Sequence, residues 1–141
     1  MLNKILTNAV VTEEGVSRIH QMLGELVKDV DATAAFLVEK SGQMLATEGE
    51  IRGLDTTAIA SLVSSSFAST RAVAKLIGEQ EFQAMFQQGD RSSIFLYSLP
   101  TQDILVVIFS DLSKTGLVKV QAEQTAKALA EELIQMMHPG H

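Results

Sequence analysis

The chain contains no cysteine and no tryptophan, one tyrosine and two prolines in 141 residues. Without cysteine there are no disulfides, no thiolate nucleophile and no Cys-based zinc site. That composition fits a reducing compartment, and the expected localisation is cytoplasmic. Aromatics make up 5% of the residues, too few for a platform on which bases stack. Basic residues are also in short supply: the net charge is −6. A nucleic-acid binder shows a basic stripe, and none is present. No window approaches the roughly 20 apolar residues of a membrane span. The start, MLNKILTNAVV, lacks the long apolar region and small-residue cleavage site of a secretory signal.

Catalytic motifs are missing as well. There is no phosphate loop, no G-x-G-x-x-G, no G-x-S-x-G elbow and no H-E-x-x-H. Asp90 and Asp103 sit in turns and read as ordinary solvated acids. His20 has no second ligand or carboxylate one helical turn away and reads as a surface or partly buried histidine. No catalytic residue, metal site or cofactor is expected. The length suits one domain, 1–137, followed by a flexible tail, 138–141, containing His138 and His141.

What is present is a regular alternation of elements. Thr12 caps a helix whose first turn holds Glu13 and Glu14. Its apolar stripe is Val16, Ile19, Leu23, Leu26, Val27 and Val30. Ala34–Glu39 and Met44–Thr47 form a hairpin around Gly42. Asp55 or Thr56 opens a helix that runs to about Ile77 and stops at Gly78. Phe82–Gln87 and Ser93–Leu99 alternate as strands. Ile104–Phe109 is apolar throughout, a strand buried on both faces. Ser113 opens a last helix to about Met137, with Leu117, Val120, Ala128, Leu129, Leu133 and Met136 inward. The order α-β-β-α-β-β-β-α predicts an α+β sandwich: one five-stranded antiparallel sheet with helices on both faces.

Two segments point to association. The strand Phe82, Gln83, Ala84, Met85, Phe86, Gln87 carries no proline and no charge, so nothing in it blunts a sheet edge. It is read as a dimer interface that pairs with its symmetry mate, the alternative being an edge covered by a loop. The middle helix contains SSSFASTRAVAK. Wound at about 100° per residue, Ile59, Leu62, Val63, Ser66, Thr70, Val73 and Ile77 turn to the sheet, with Phe67 and Ala74 at the margin. The opposite side holds Ala60, Ser61, Ser64, Ser65, Ala68, Arg71, Ala72 and Lys75. Small side chains there admit a close neighbour, and the basic end orients it.

The run Ala72–Phe82, then Phe86–Gly89, Ile104–Phe109 and Gly116–Val118 resembles the bacterial roadblock family, in its branch of Ras-like GTPase regulators. The resemblance covers about residues 10 to 137 in element order. It implies a homodimer joined through the third strand, with both middle helices on one face of a continuous sheet. It implies that this face meets the GTP-bound switch regions of a Ras-like small GTPase, through Ala60, Ser64, Phe67, Ala68, Arg71, Ala72 and Lys75. It further implies faster GTP hydrolysis without an inserted arginine finger, the GTPase's own groups being repositioned. Arg71 is therefore expected to steer. A non-catalytic scaffold that binds a GTPase or motor is the alternative. A small-ligand sensor would need a polar-lined pocket, which the apolar Ile104–Phe109 argues against.

Overall fold

The computed structural model describes residues 12–137. The N-terminal stretch 1–11 and the tail with His138 and His141 lie outside the described residues.

Helix α1 (Glu13–Val30) is capped by Thr12, whose hydroxyl accepts from the Gly15 amide at 2.9 Å. Asp31 ends it in the left-handed region, at φ 54°. Ile19, Leu23, Leu26 and Val30 are buried, and Val16 and Val27 are half-buried at the margin of the stripe. The hairpin follows as β1 (Ala34–Val38) and β2 (Met44–Gly49), then α2 (Thr56–Leu76). Three strands come next: β3 (Ala84–Gln88), β4 (Ser93–Ser98) and β5 (Ile104–Phe109). A 3₁₀ turn, Leu112–Lys114, leads into α3 (Thr115–Met137).

All five strands form one antiparallel sheet in the order β2-β1-β5-β4-β3. The α+β sandwich and its element order are as expected. Alternate side chains of the two central strands feed two cores. Ala35, Leu37, Leu105, Val107 and Phe109 pack with α1 and α3. Ala34, Phe36, Val38, Ile104 and Val106 pack with Ala60, Val63 and Phe67 of α2. That two-sided burial is why β5 is an unbroken apolar run.

Several boundaries differ from the sequence reading. Strand β3 starts at Ala84 and ends at Gln88, not at Phe82 and Gln87. Continued register would set Phe82 opposite Leu99 as a non-bonded pair, so no ladder bond to β4 reaches Phe82. The last bond at that end runs from the Ser98 amide to the Gln83 carbonyl at 2.8 Å. Ahead of α3, Ser113 falls inside the 3₁₀ turn, which Asp111 caps: its carboxylate accepts from the Ser113 amide at 3.0 Å. Leu117 and Val120 are exposed, and Val118, Ala122 and Ala126 take the inward positions. Small residues let α3 approach the sheet and α1 closely, so size was a poor guide to which side faces in. A bidentate pair joins the two helices. Arg18 donates from Nε and Nη2 to the two oxygens of buried Glu132, at 2.7 and 2.8 Å.

Candidate partner interface on the middle helix

Asp55 caps α2, its carboxylate accepting from the Ala58 amide at 3.0 Å. The helix stops at Ile77, and Gly78 at φ 84° turns the chain away. Glycine suits that position because L side chains strain there.

The helix shows three faces. The first is buried: Ala60, Val63 and Phe67 pack on the sheet, and Ala74 is covered as well. Of the predicted inward set only Val63 belongs to it. Ala60 and Phe67, expected on the partner face, are completely covered, at 0% and 1% exposure. At Ala60 the helix lies close enough to the sheet for alanine to fill the contact. The core therefore follows backbone proximity rather than side-chain size.

The second face, roughly 100° further round, is apolar and open. Leu62 and Val73 are 70% and 51% exposed; Leu76 and Ile77, at the helix end, are 86% and 65% exposed. Beside it runs a groove of about 240 Å³ lined by Ile59, Leu62, Val63 and Ser66 of α2 and by Gln87, Ile94 and Leu96 of the adjacent strands. The groove thus connects this helix face to the β3 edge. The sequence reading missed it by sending Leu62, Val73 and Ile77 inward. The available signal was that the apolar residues of α2 span more than one side of a helix, which a single buried stripe does not need.

The third face carries the small residues. Ser64 donates its hydroxyl to the Lys40 carbonyl at 2.8 Å. The β1–β2 turn packs here: a Cβ placed on Gly42, at φ 103°, would stand 3.5 Å from the Ser64 Cβ and 3.6 Å from the Ser61 Cα. At Ser61 and Ser64 the close neighbour is therefore the chain's own hairpin. Further along, Ala68, Ala72 and Lys75 remain exposed. Arg71 is half-buried, with Nε 3.7 Å from a Glu81 carboxylate oxygen. This loose pair turns the Arg71 guanidinium toward Glu81.

The expected dimer strand lies at the sheet edge. Phe82 is half-buried and Gln83 exposed, both ahead of the strand; Ala84 and Met85 are half-buried; Phe86 and Gln87 are exposed. Phe86 lies tilted against Phe109, with ring centroids 6.1 Å apart. So the structure brings the β3 edge and the apolar face of α2 together, and sets Ala68, Ala72 and Lys75 on a different side.

Asp103 corrects another reading. It is buried, at 7% exposure, not solvated. Its carboxylate accepts from the Lys40 amide at 3.0 Å and the Thr101 hydroxyl at 2.7 Å. Burial pushes its carboxyl above the usual range; these two hydrogen bonds and the Lys40 charge oppose the shift, and Glu39 adds to it. His20 meets Glu48 of β2, Nδ1 to Oε2, at 2.7 Å; the carboxylate comes from a strand, out of reach of helical spacing.

Among the described residues, no helix is long and apolar enough to cross a membrane. Comparison with curated proteins gives no match. Solved structures give clear ones. MglB of Myxococcus xanthus is 34% identical, with a TM-score of 0.78 over 82% of this chain and 94% of its own. An MglB with a tetrameric arrangement is 28% identical, at 0.82 over 91% and 96%. The gliding protein MglB of Thermus thermophilus is 27% identical, at 0.80 over 90% and 96%. The Roadblock/LC7 domain model matches residues 18–109. With that match over most of its length and a sandwich of this topology, the chain belongs to the Roadblock/LC7 domain family.

Proposed function

We propose that this protein is a homodimeric regulator that accelerates GTP hydrolysis by a Ras-like small GTPase, one like MglA, in cytoplasmic control of bacterial polarity and motility. The observation that carries the reading is the division of α2 into separate faces. An apolar face continuous with an open strand edge suits a second copy of this chain. A small-sided, basic-ended face suits a different body. The likeness to MglB structures supports the same partner class, and the tetrameric arrangement of one of them supports self-association.

In this reading β3 pairs across a twofold axis, and the sister helix covers Leu62, Val73, Leu76 and Ile77. Ala68, Ala72 and Lys75, with Ser64 and Arg71 at the margin, meet the GTPase. Ala60 and Phe67 support that face from beneath. The protein supplies no catalytic group and needs no metal or cofactor. GTP hydrolysis depends on placing a water and stabilising charge, so a partner that repositions a switch loop raises the rate.

The test is phosphate release from a GTP-loaded MglA-like GTPase with and without this protein. Acceleration supports the reading. Binding without acceleration supports the alternative, a scaffold for a GTPase or motor, which the same surface also suits.

A further inference from the structure

The free edge of β3 has a hydrogen-bonding pattern that selects one way for two copies to meet. Two bonds bracket the strand: the Ser98 amide to the Gln83 carbonyl at 2.8 Å, and the Gly89 amide to the Ser92 carbonyl at 3.0 Å. In an antiparallel ladder, bonded and non-bonded pairs alternate. With the observed register, Met85↔Leu96 and Gln87↔Ile94 are then the bonded pairs. Ala84, Phe86 and Gln88 therefore turn their amides and carbonyls away from β4, toward the open edge.

We infer that the twofold axis of the dimer passes through Phe86. The inference rests on the homodimer reading above and specifies its geometry. Outward groups must meet outward groups. With the axis at Phe86, Phe86 faces the partner's Phe86, Ala84 faces the partner's Gln88, and Gln88 faces the partner's Ala84. Each pair exchanges two hydrogen bonds, and every outward group within the strand is satisfied. Moving the axis to Met85 leaves Gln88 without an opposite residue in the strand. Moving it to Gln87 does the same to Ala84. Moving it by half a residue sets outward groups against inward ones and breaks the ladder.

Side chains agree with this register. Phe86 is 42% exposed and lies on the Phe109 side of the sheet. At the axis its ring meets its own symmetry mate on that side, which removes a large apolar surface from water. On the α2 side, Met85 faces the partner's Gln87. Ala84–Gln88 contains no charge, so self-pairing brings no like charges together.

The absence of cysteine makes the register readable by cross-linking. In this register Met85 and the partner's Gln87 form a non-bonded pair with Cα atoms about 4.5 Å apart, within disulfide range. The diagonal from Met85 to the partner's Met85 is about 7–8 Å, beyond it. The full chain carrying M85C and Q87C together, exposed to oxidised glutathione, is expected to run as a covalent dimer on a non-reducing gel. M85C alone and Q87C alone are expected to stay largely uncross-linked. A second pair, A84C with Q88C, has Cα atoms about 5.5 Å apart and is expected to cross-link as well. If the proteins are dimeric by light scattering but a single variant cross-links better than the pairs, or neither pair does, the axis is not at Phe86. A monomeric wild-type mass overturns the homodimer reading itself.

Discussion

Ser64 of the middle helix donates its hydroxyl to the Lys40 carbonyl at 2.8 Å, while the carboxylate of Asp103 holds the Lys40 amide at 3.0 Å. Lys40 of the β1–β2 turn is thus gripped through a helix and through the β4–β5 turn. The small side chains of α2 serve this contact first. A Cβ on Gly42 would meet Ser64 and Ser61 at ordinary van der Waals distance, so the obstacle is the φ of 103°. Alanine at Gly42 strains the backbone, with an expected cost of about 1–2 kcal/mol. S64A loses one hydrogen bond, about 0.5–1.5 kcal/mol. Urea denaturation measures both, and G42A is expected to be the worse.

Asp103 gives the turn a defined response to pH. Burial raises its carboxyl above the ordinary value of 3.8, so the folded chain holds that proton more tightly than the unfolded chain. Its contribution to stability is therefore greatest below about pH 3.8 and declines as pH rises through the folded value. D103N keeps an acceptor for the Lys40 amide but has no proton to release. Relative to D103N, the wild type is expected to lose stability as pH rises from about 4 through the raised folded value. Urea midpoints at several pH values read this difference; a constant difference contradicts it.

The Arg18–Glu132 clamp predicts an ordering of variants. Removing Arg18 alone strands a carboxylate that is 7% exposed. Replacing both partners with leucine strands nothing. Thermal unfolding is expected to place R18A below R18L/E132L in Tm. The reverse order would mean that the pair contributes through its own attraction.

Arg71 is expected to steer the GTPase rather than enter its active site, because its guanidinium is already drawn toward Glu81. R71A should lower single-turnover hydrolysis by less than about tenfold, whereas a loss of about 10³-fold or more identifies a finger.

The sandwich was legible because its signals are local: caps at Thr12 and Asp55, a stop at Gly78, and a strand apolar on both sides at Ile104–Phe109. The phases of the two longer helices were not. Periodicity assigns the largest apolar residues to the core. Here Ala60 and Ala74 are buried, and Leu62 and Leu76 face out. Alanine has little hydrophobic signal, yet it permits the closest helix–sheet approach. Contacts between distant segments were equally hidden: Asp103 with Lys40, His20 with Glu48 and Arg18 with Glu132. The edge strand was legible in outline but begins two residues later, because its last bond to β4 is made at Gln83.

Separate faces on α2 predict separable defects. L76D puts a charge on the apolar face, where Leu76 is 86% exposed. It is expected to leave the helical circular dichroism unchanged and to halve the mass in light scattering. Loss of helical signal would mean that Leu76 serves the fold instead.

The most direct measurement is GTP hydrolysis by the MglA-like GTPase with wild-type protein and with A68E/A72E, which alters only exposed positions of the small-sided face. The account predicts acceleration by the wild type and little or none by the variant, whose light-scattering mass stays dimeric. Equal acceleration by both would contradict it.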